Sequence, residues 1–254
     1  MTGSSRMTVS NRTTLRCYPE IAYGGYSRVD GMVAFYSRVN ALLRSDSTVL
    51  DIGCGRGAFM DEESSPWRNS LRIFKGRCAR VIGLDVDPDG AGNPDMDEFR
   101  LLEDQQHWPI EDASIDLATS NYVLEHVEDP EAFFAECSRV IKPGGHVCLC
   151  TPNKYFYVSI LASLIPNRFH SALTSRVQHD RKDEDVFPTF YRCNTKRTVI
   201  RMMEKAGFDV TVVRHEAEPA YMHFSSIAYR LGAIAHRLMP PPLASTLLIY
   251  ARKR

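Results

Sequence analysis

No stretch of the 254 residues reaches the ~18 uninterrupted apolar positions that a membrane-crossing helix needs, so no segment is expected to span a bilayer. An excess of one charge is also missing, since Lys plus Arg and Asp plus Glu both number 31. A dedicated nucleic-acid binder usually carries a basic surplus to neutralise phosphates, so no nucleic-acid partner is expected. No two cysteines form a Cys-x-x-Cys pair, and their number, seven, is odd. Neither a disulfide frame nor a zinc site follows from that pattern. Cys148 and Cys150 alternate with Val147 and Leu149 as strand residues do, which suits reduced, mostly buried thiols in a cytoplasmic protein. Met1–Arg16 holds seven Ser or Thr, three Arg and no acid, and it lacks the apolar run of a secretory signal. It reads as a disordered tail, 1–16, ahead of a single domain, 17–254. Internal repeats are absent.

What is present is a core-forming composition, 44% apolar and 24% charged. Short apolar runs at Thr48–Ile52, Arg80–Asp85, Glu98–Leu102, Ser114–Thr119, His146–Thr151, Phe208–His215 and Thr246–Arg252 read as strands. Helical patterns fall at Ser27–Leu43, Pro130–Ile141, Thr195–Ala206 and Ser225–Leu238, the last with Arg230, His236 and Arg237 on its polar side. Buried runs alternating with helices predict an α/β fold with a largely parallel sheet. Pro152–Asn194 is too long for an ordinary crossover, which needs ~10–12 residues in all. It is rich in aromatics and reads as an insertion, 152–194, of the kind that forms a lid or binding loop.

The strongest local feature is VLDIGCGRG, Val49–Gly57, followed by Ala58. A strand that closes in Gly53, Gly55 and Gly57 also satisfies the dinucleotide pattern G-x-G-x-x-A, so the spacing alone leaves two readings. Charge separates them. Asp51 would repel a pyrophosphate at this turn and attract a ligand bearing an ammonium or sulfonium group. Asp85, at the end of the second strand, suits a pair of ribose hydroxyls as a carboxylate acceptor. Its separation from Gly55, 30 residues, exceeds the ~20 of a dinucleotide site.

VLDIGCGRG at 49–57, VIGLDVDP at 81–88 and SIDLATSNYVLEHVEDPEAFFAECSRVIKPGG at 114–145 resemble, in order and spacing, the class I S-adenosylmethionine-dependent methyltransferases. The resemblance spans about residues 48–151 and continues more loosely through TPNKY and the KAGF turn. It implies a Rossmann-like, seven-stranded, mostly parallel sheet with helices on both faces and the last strand reversed. The implied cofactor is S-adenosylmethionine, and the implied acceptor is a small molecule methylated at O, N or C, with a secondary metabolite or glycosyl unit ahead of a quinone or lipid. A donor-binding subunit without transferase activity is the remaining alternative. By position, Asp51, Gly53, Cys54, Gly55 and Gly57 hold the methionine part, and Asp85 with Val86 holds the ribose. Asp104 and Gln105 fall at the adenine, and Asn121 and Tyr122 under the methionine carboxylate and sulfonium. Two features depart from the pattern: Pro66 and the polar residues before it predict a short helix after the glycine loop, and Glu103 stands where a glycine often precedes the adenine acid.

His126, just past the fourth strand, is a candidate general base, its alternative being a purely packing role. Tyr23 is the second catalytic candidate. Tyr26, Asn153, Tyr155, Tyr191 and His223 are candidate acceptor contacts. His170 and His179-Asp180 lack metal-ligand spacing, so no metal is expected. The apolar run Tyr155–Ile165 leaves a peripheral membrane contact open, as the sequence leaves the oligomeric state.

Overall fold

A computed structural model describes residues 9–57, 65–104, 106–164, 188–222 and 225–254. Seven strands form one sheet: β1 (Thr48–Ile52), β2 (Arg80–Asp85), β3 (Glu98–Leu101), β4 (Ile115–Asn121), β5 (Ile141–Pro152), β6 (Phe208–His215) and β7 (Thr246–Lys253). Their order across the sheet is β3-β2-β1-β4-β5-β7-β6. The first five strands run parallel. β7 is antiparallel to both β5 and β6 and is therefore the reversed strand. This is the Rossmann-like methyltransferase sheet that the resemblance implied. β5 starts earlier than its apolar run suggests, because Ile141 already pairs with Ile115 across an irregular register.

The strands alternate between two cores, as a period of two requires. Val49, Val81, Leu117, Cys148 and Leu248 pack on one face with Phe35, Tyr36 and Val39 of helix α2 (Gly31–Leu42), which follows α1 (Val9–Cys17). Leu50, Ile82, Leu84, Val147 and Ile249 pack on the other. There they meet Phe134 and Cys137 of α4 (Pro130–Val140) and Val199 and Met203 of α6 (Lys196–Lys205). Side-chain caps start these helices: Asp30 accepts from the Met32 and Val33 amides, both at 2.9 Å, and Asp129 from Glu131 and Ala132, both at 3.1 Å. Such caps contribute about 1 kcal/mol each. All seven cysteines are free thiols, and burial pushes Cys148 up to about 12.

Two local expectations change, those for residues 9–16 and for His236. Residues 9–16, assigned to a tail, belong to α1, which packs on α7 (Ser226–Arg237), where Thr13 Oγ1 donates to Ser226 Oγ at 2.8 Å. Beyond residues 58–64, which lie outside the described residues, the chain forms only the short α3 (Pro66–Ser70). His236 does not lie on a polar face of α7: it is buried, with Nδ1 donating to the Ala217 carbonyl at 3.0 Å. Most of the lid insertion, residues 165–187, is also outside the described residues, including His170 and His179-Asp180. Its described parts are α5 (Tyr157–Leu164) and the return segment from Pro188. No helix among the described residues is long and apolar enough to cross a membrane.

Candidate active site

The strand order reverses between β1 and β4, and open α/β sheets bind ligands at the carboxyl edge of such a switch point. The glycine turn leaves β1 there. Gly53, Gly55 and Gly57 have φ of 74°, 57° and 74°, a region that other residues enter only with strain. A Cβ on Gly53 would stand 2.2 Å from Val123 Cγ2, so the turn also needs glycine for space. The loop is braced from the neighbouring strand. Asp85 Oδ2 accepts from the Gly55 amide at 2.8 Å, and its Oδ1 accepts from the Asp87 amide at 2.9 Å. Arg56 pairs with Asp87 at 2.7 Å. Asn93 Nδ2 donates to the Cys54 and Gly55 carbonyls at 2.9 and 3.1 Å. No motif pointed to Asn93, which clamps the loop from a distant turn.

The electrostatics favour a cation. Burial, then the charge of Asp85, pushes the Asp51 carboxyl up to about 7; Arg72 opposes this and Asp95 adds to it. At the end of β4, the buried Asn121 Oδ1 has no hydrogen-bond partner among the described residues. A buried carbonyl left unpaired costs roughly 1–3 kcal/mol, so a ligand N–H at this position would be stabilising. Tyr122, next in sequence, is held at φ 58° with its amide on the Cys150 carbonyl at 2.8 Å. A glycine cradle, an acidic strand end that still has lone pairs, and an unpaired amide oxygen together fit S-adenosylmethionine: the glycines, Asp51 and Asn121 would hold its amino-acid part, and Asp85 its ribose.

One prediction follows from Asp51. An ammonium group binds the ionised carboxylate, which the free protein holds protonated below about pH 7. Affinity for the demethylated donor, S-adenosylhomocysteine, is expected to fall toward tenfold per pH unit below 7 and to level off above it, as measured by calorimetry across pH. Protein stability should run the other way. Folding raises this pKa, so the stabilisation is complete below the unfolded value of ~3.9 and is lost as pH rises through about 7.

Beside the cradle, the turn Leu124–His126 is tied to the segment that returns from the insertion. His126 Nδ1 lies 2.9 Å from the Pro188 carbonyl. A carbonyl only accepts, so Nδ1 carries the proton and Nε2 is the basic nitrogen of the neutral ring. The Glu125 carbonyl accepts from the amides of Phe190 at 2.8 Å and Tyr191 at 3.2 Å. Beneath them, Asn194 Nδ2 donates to Thr151 Oγ1 at 2.6 Å, and Thr151 donates to the Glu125 carboxylate at 3.0 Å. Tyr191 sits at φ 49°, hydrogen-bonded to Ser159, and burial raises its hydroxyl pKa. Tyr221 lies close enough to act electrostatically on both Tyr191 and Tyr122. Neither Ser159 nor Tyr221 stands in a motif, and only this juxtaposition reveals them.

Other candidates fall elsewhere. Tyr23 is 87% exposed, with its ring in solvent rather than against this cluster. Tyr26 stacks on Trp67, ring centroids 4.9 Å apart. Asn153 is a correction: it is 1% exposed, its Nδ2 donates to the Pro242 and Ala244 carbonyls, and its Oδ1 accepts from the Tyr155 amide. It joins β5 to the approach of β7 and has no face for a substrate. Tyr155 is exposed and Val86 half-exposed, while Cys54 is buried with its thiol pKa raised. Asp104 is exposed and accepts from the Gln106 amide at 2.8 Å. Gln105 and His223 lie outside the described residues.

Comparison with known proteins agrees with this geometry. A family model described as a methyltransferase domain matches residues 27–213. A malonyl-[acyl-carrier protein] O-methyltransferase of Hahella chejuensis is 31% identical over 108 residues, covering 41% of this chain and 36% of that protein. A ubiquinone biosynthesis O-methyltransferase of Acinetobacter baumannii is 29% identical over 122 residues, covering 46% and 50%. The chain thus spans about half or less of the length of these curated relatives. The solved geranyl diphosphate C-methyltransferase of Streptomyces coelicolor A3(2) superposes with a TM-score of 0.52 at 19% identity, over 87% of this chain and 78% of that one, a likeness of fold. With the matched domain covering most of its length and the sheet order and glycine cradle in place, this chain belongs to the class I S-adenosylmethionine-dependent methyltransferases.

Proposed function

We propose that this protein transfers a methyl group from S-adenosylmethionine to a nucleophilic O, N or C of a small molecule, a secondary metabolite or glycosyl unit by preference. The observation that carries the reading is the glycine turn closing β1, with the Asp51 carboxyl before it and the unpartnered Asn121 Oδ1 at the end of the adjacent β4, a setting that favours an ammonium-bearing donor over a pyrophosphate. When bound, the donor supplies a methyl group already activated by its sulfonium. The chain's task is then alignment, which in well-oriented reactions accounts for much of the barrier. For an acceptor hydroxyl, the proton passes to His126 Nε2 while Nδ1 stays on the Pro188 carbonyl. Tyr191, Ser159 and Tyr221 border the acceptor. The free thiols suit a reducing compartment, the cytoplasm.

A quinone or other lipid acceptor is the second reading, favoured by the name of the Acinetobacter relative and by the exposed Ile160 and Leu161 of α5. Incubation with labelled donor and fractionated metabolite extracts separates these readings. Label in a polar product supports the first, and label in the organic phase the second. Binding of S-adenosylhomocysteine without any turnover would instead indicate a donor-binding subunit.

The acceptor side can be tested apart from the donor. Tyr191→Ala or Tyr155→Ala is expected to raise the acceptor KM or lower kcat, while the Kd for S-adenosylhomocysteine changes less than about 3-fold, under ~0.7 kcal/mol. If both rings belong only to the general core, melting temperature and both ligands will suffer together.

A further inference from the structure

α7 carries an apolar stripe on the wrong side for a core helix. Ile227, Leu231, Ile234 and Leu238 recur at the spacing of one helical face, yet they are 72%, 63%, 59% and 75% exposed. The helix already buries another face through Tyr229, Gly232 and His236. Gly232 packs so closely that a Cβ would stand 2.3 Å from Met222 Sδ. The exposed stripe is therefore surplus to the fold, and a soluble surface rarely keeps such a row without a use. The acids that touch α7, Glu216 and Glu218, do so on its buried side through His236 and Tyr229, and its exposed flanks are basic. Arg230 and Arg237 flank it, exposed and without an ion pair among the described residues. α1, packed against α7, adds the exposed Arg12 and Arg16, and neither helix contains an Asp or Glu. This imbalance stands out in a chain whose net charge is zero. α5 meets α7 where the Tyr157 and His236 rings lie edge-on, their centroids 5.8 Å apart, and it exposes Ile160 at 44% and Leu161 at 58%.

We propose that this face of α7, with the basic residues of α1, rests on an anionic lipid surface. Apolar residues at the centre and arginines at the rim are what a helix lying in a headgroup layer requires. A second copy of the chain fits less well, because symmetric pairing would set arginines against arginines with no acid on either helix. The proposal does not depend on the methyltransferase reading.

Vesicle flotation of the full chain tests it. The protein is expected to float with vesicles of phosphatidylcholine plus phosphatidylglycerol and much less with phosphatidylcholine alone, with binding weakened by added salt. Leu231→Gln with Ile234→Gln, and separately Arg230→Gln with Arg237→Gln, should each lower the bound fraction by about 10-fold or more. Both pairs are exposed, so the melting temperature should stay unchanged, which separates lost binding from lost folding. Failure to float with either vesicle, or flotation that survives both double variants, overturns the proposal. So does a concentration-dependent dimer in sedimentation that Leu231→Gln with Ile234→Gln dissociates, which would make the stripe a self-interface.

Discussion

Replacing Gly55 by alanine is expected to weaken S-adenosylhomocysteine binding by about 10-fold or more while lowering the melting temperature by only a few degrees. The reason is an asymmetry within the glycine turn. A Cβ at Gly55 meets no atom of the described residues within 4 Å, so the cost to the fold is the left-handed backbone at φ 57°. For an alanine that strain is roughly 1–2 kcal/mol, which in a protein of this size lowers the melting point by about 2–4 °C per kcal/mol. Open space beside a loop whose amide is tied to Asp85 is where the donor is placed here, and a methyl group would intrude on it. Gly53→Ala is the contrast. Its Cβ would collide with Val123, so both melting temperature and donor binding should fall. Calorimetry and thermal melting on the two variants read this difference. If Gly55→Ala binds the ligand as the wild type does, the donor does not lie against that turn.

His126→Asn should reduce kcat by 10²–10⁴-fold, the usual range for loss of a general base, with the donor Kd within about 3-fold of wild type. Asparagine was chosen because its amide N–H can still reach the Pro188 carbonyl, which His126 Nδ1 contacts at 2.9 Å. The tie to the returning segment therefore survives and only the basic nitrogen is lost. At saturating donor, where the titration of Asp51 no longer limits binding, the acidic limb of the kcat–pH profile should vanish with it. If the histidine serves only to hold Pro188, the asparagine variant will keep its activity and His126→Ala will lose it. A carbon acceptor that needs no proton removal would also leave the asparagine variant active, and the labelled product identifies that case.

Local patterns were enough for the strands and for the glycine turn. Val49, Leu50 and Ile52 are apolar because β1 is buried on both faces, and a parallel strand between two layers leaves that mark on any sequence. The glycine turn was readable for a similar reason: backbone with φ near 74° at Gly53 accepts essentially one residue type. The proposed acceptor side left a fainter trace. Tyr191, Ser159 and Tyr221 lie far apart in the chain, and no short-range rule links them. Asn153 had the chemistry of a ligand contact, but the carbonyls that occupy its amide, Pro242 and Ala244, lie nearly a hundred residues away. Asn93 was overlooked for the converse reason, since nothing around it marks the loop it clamps.

Helix α7 draws the line most clearly. Its order of residues dictates a helix with one apolar row, one mixed row and a Ser225 cap, and those are properties of backbone periodicity alone. Which row faces inward depends on what the rest of the chain brings to it. Met222 and Pro219 crowd Gly232, and the Ala217 carbonyl takes His236 inside, so the row of Ile227, Leu231, Ile234 and Leu238 turns outward. The same holds for α1, a polar segment with little tendency to order that becomes a helix against α7. Periodicity and glycine stereochemistry act within a few residues, and so they can be read along the chain. Burial, partner choice and the pKa of Asp51 depend on distances through space, and those exist only once the sheet has closed around them.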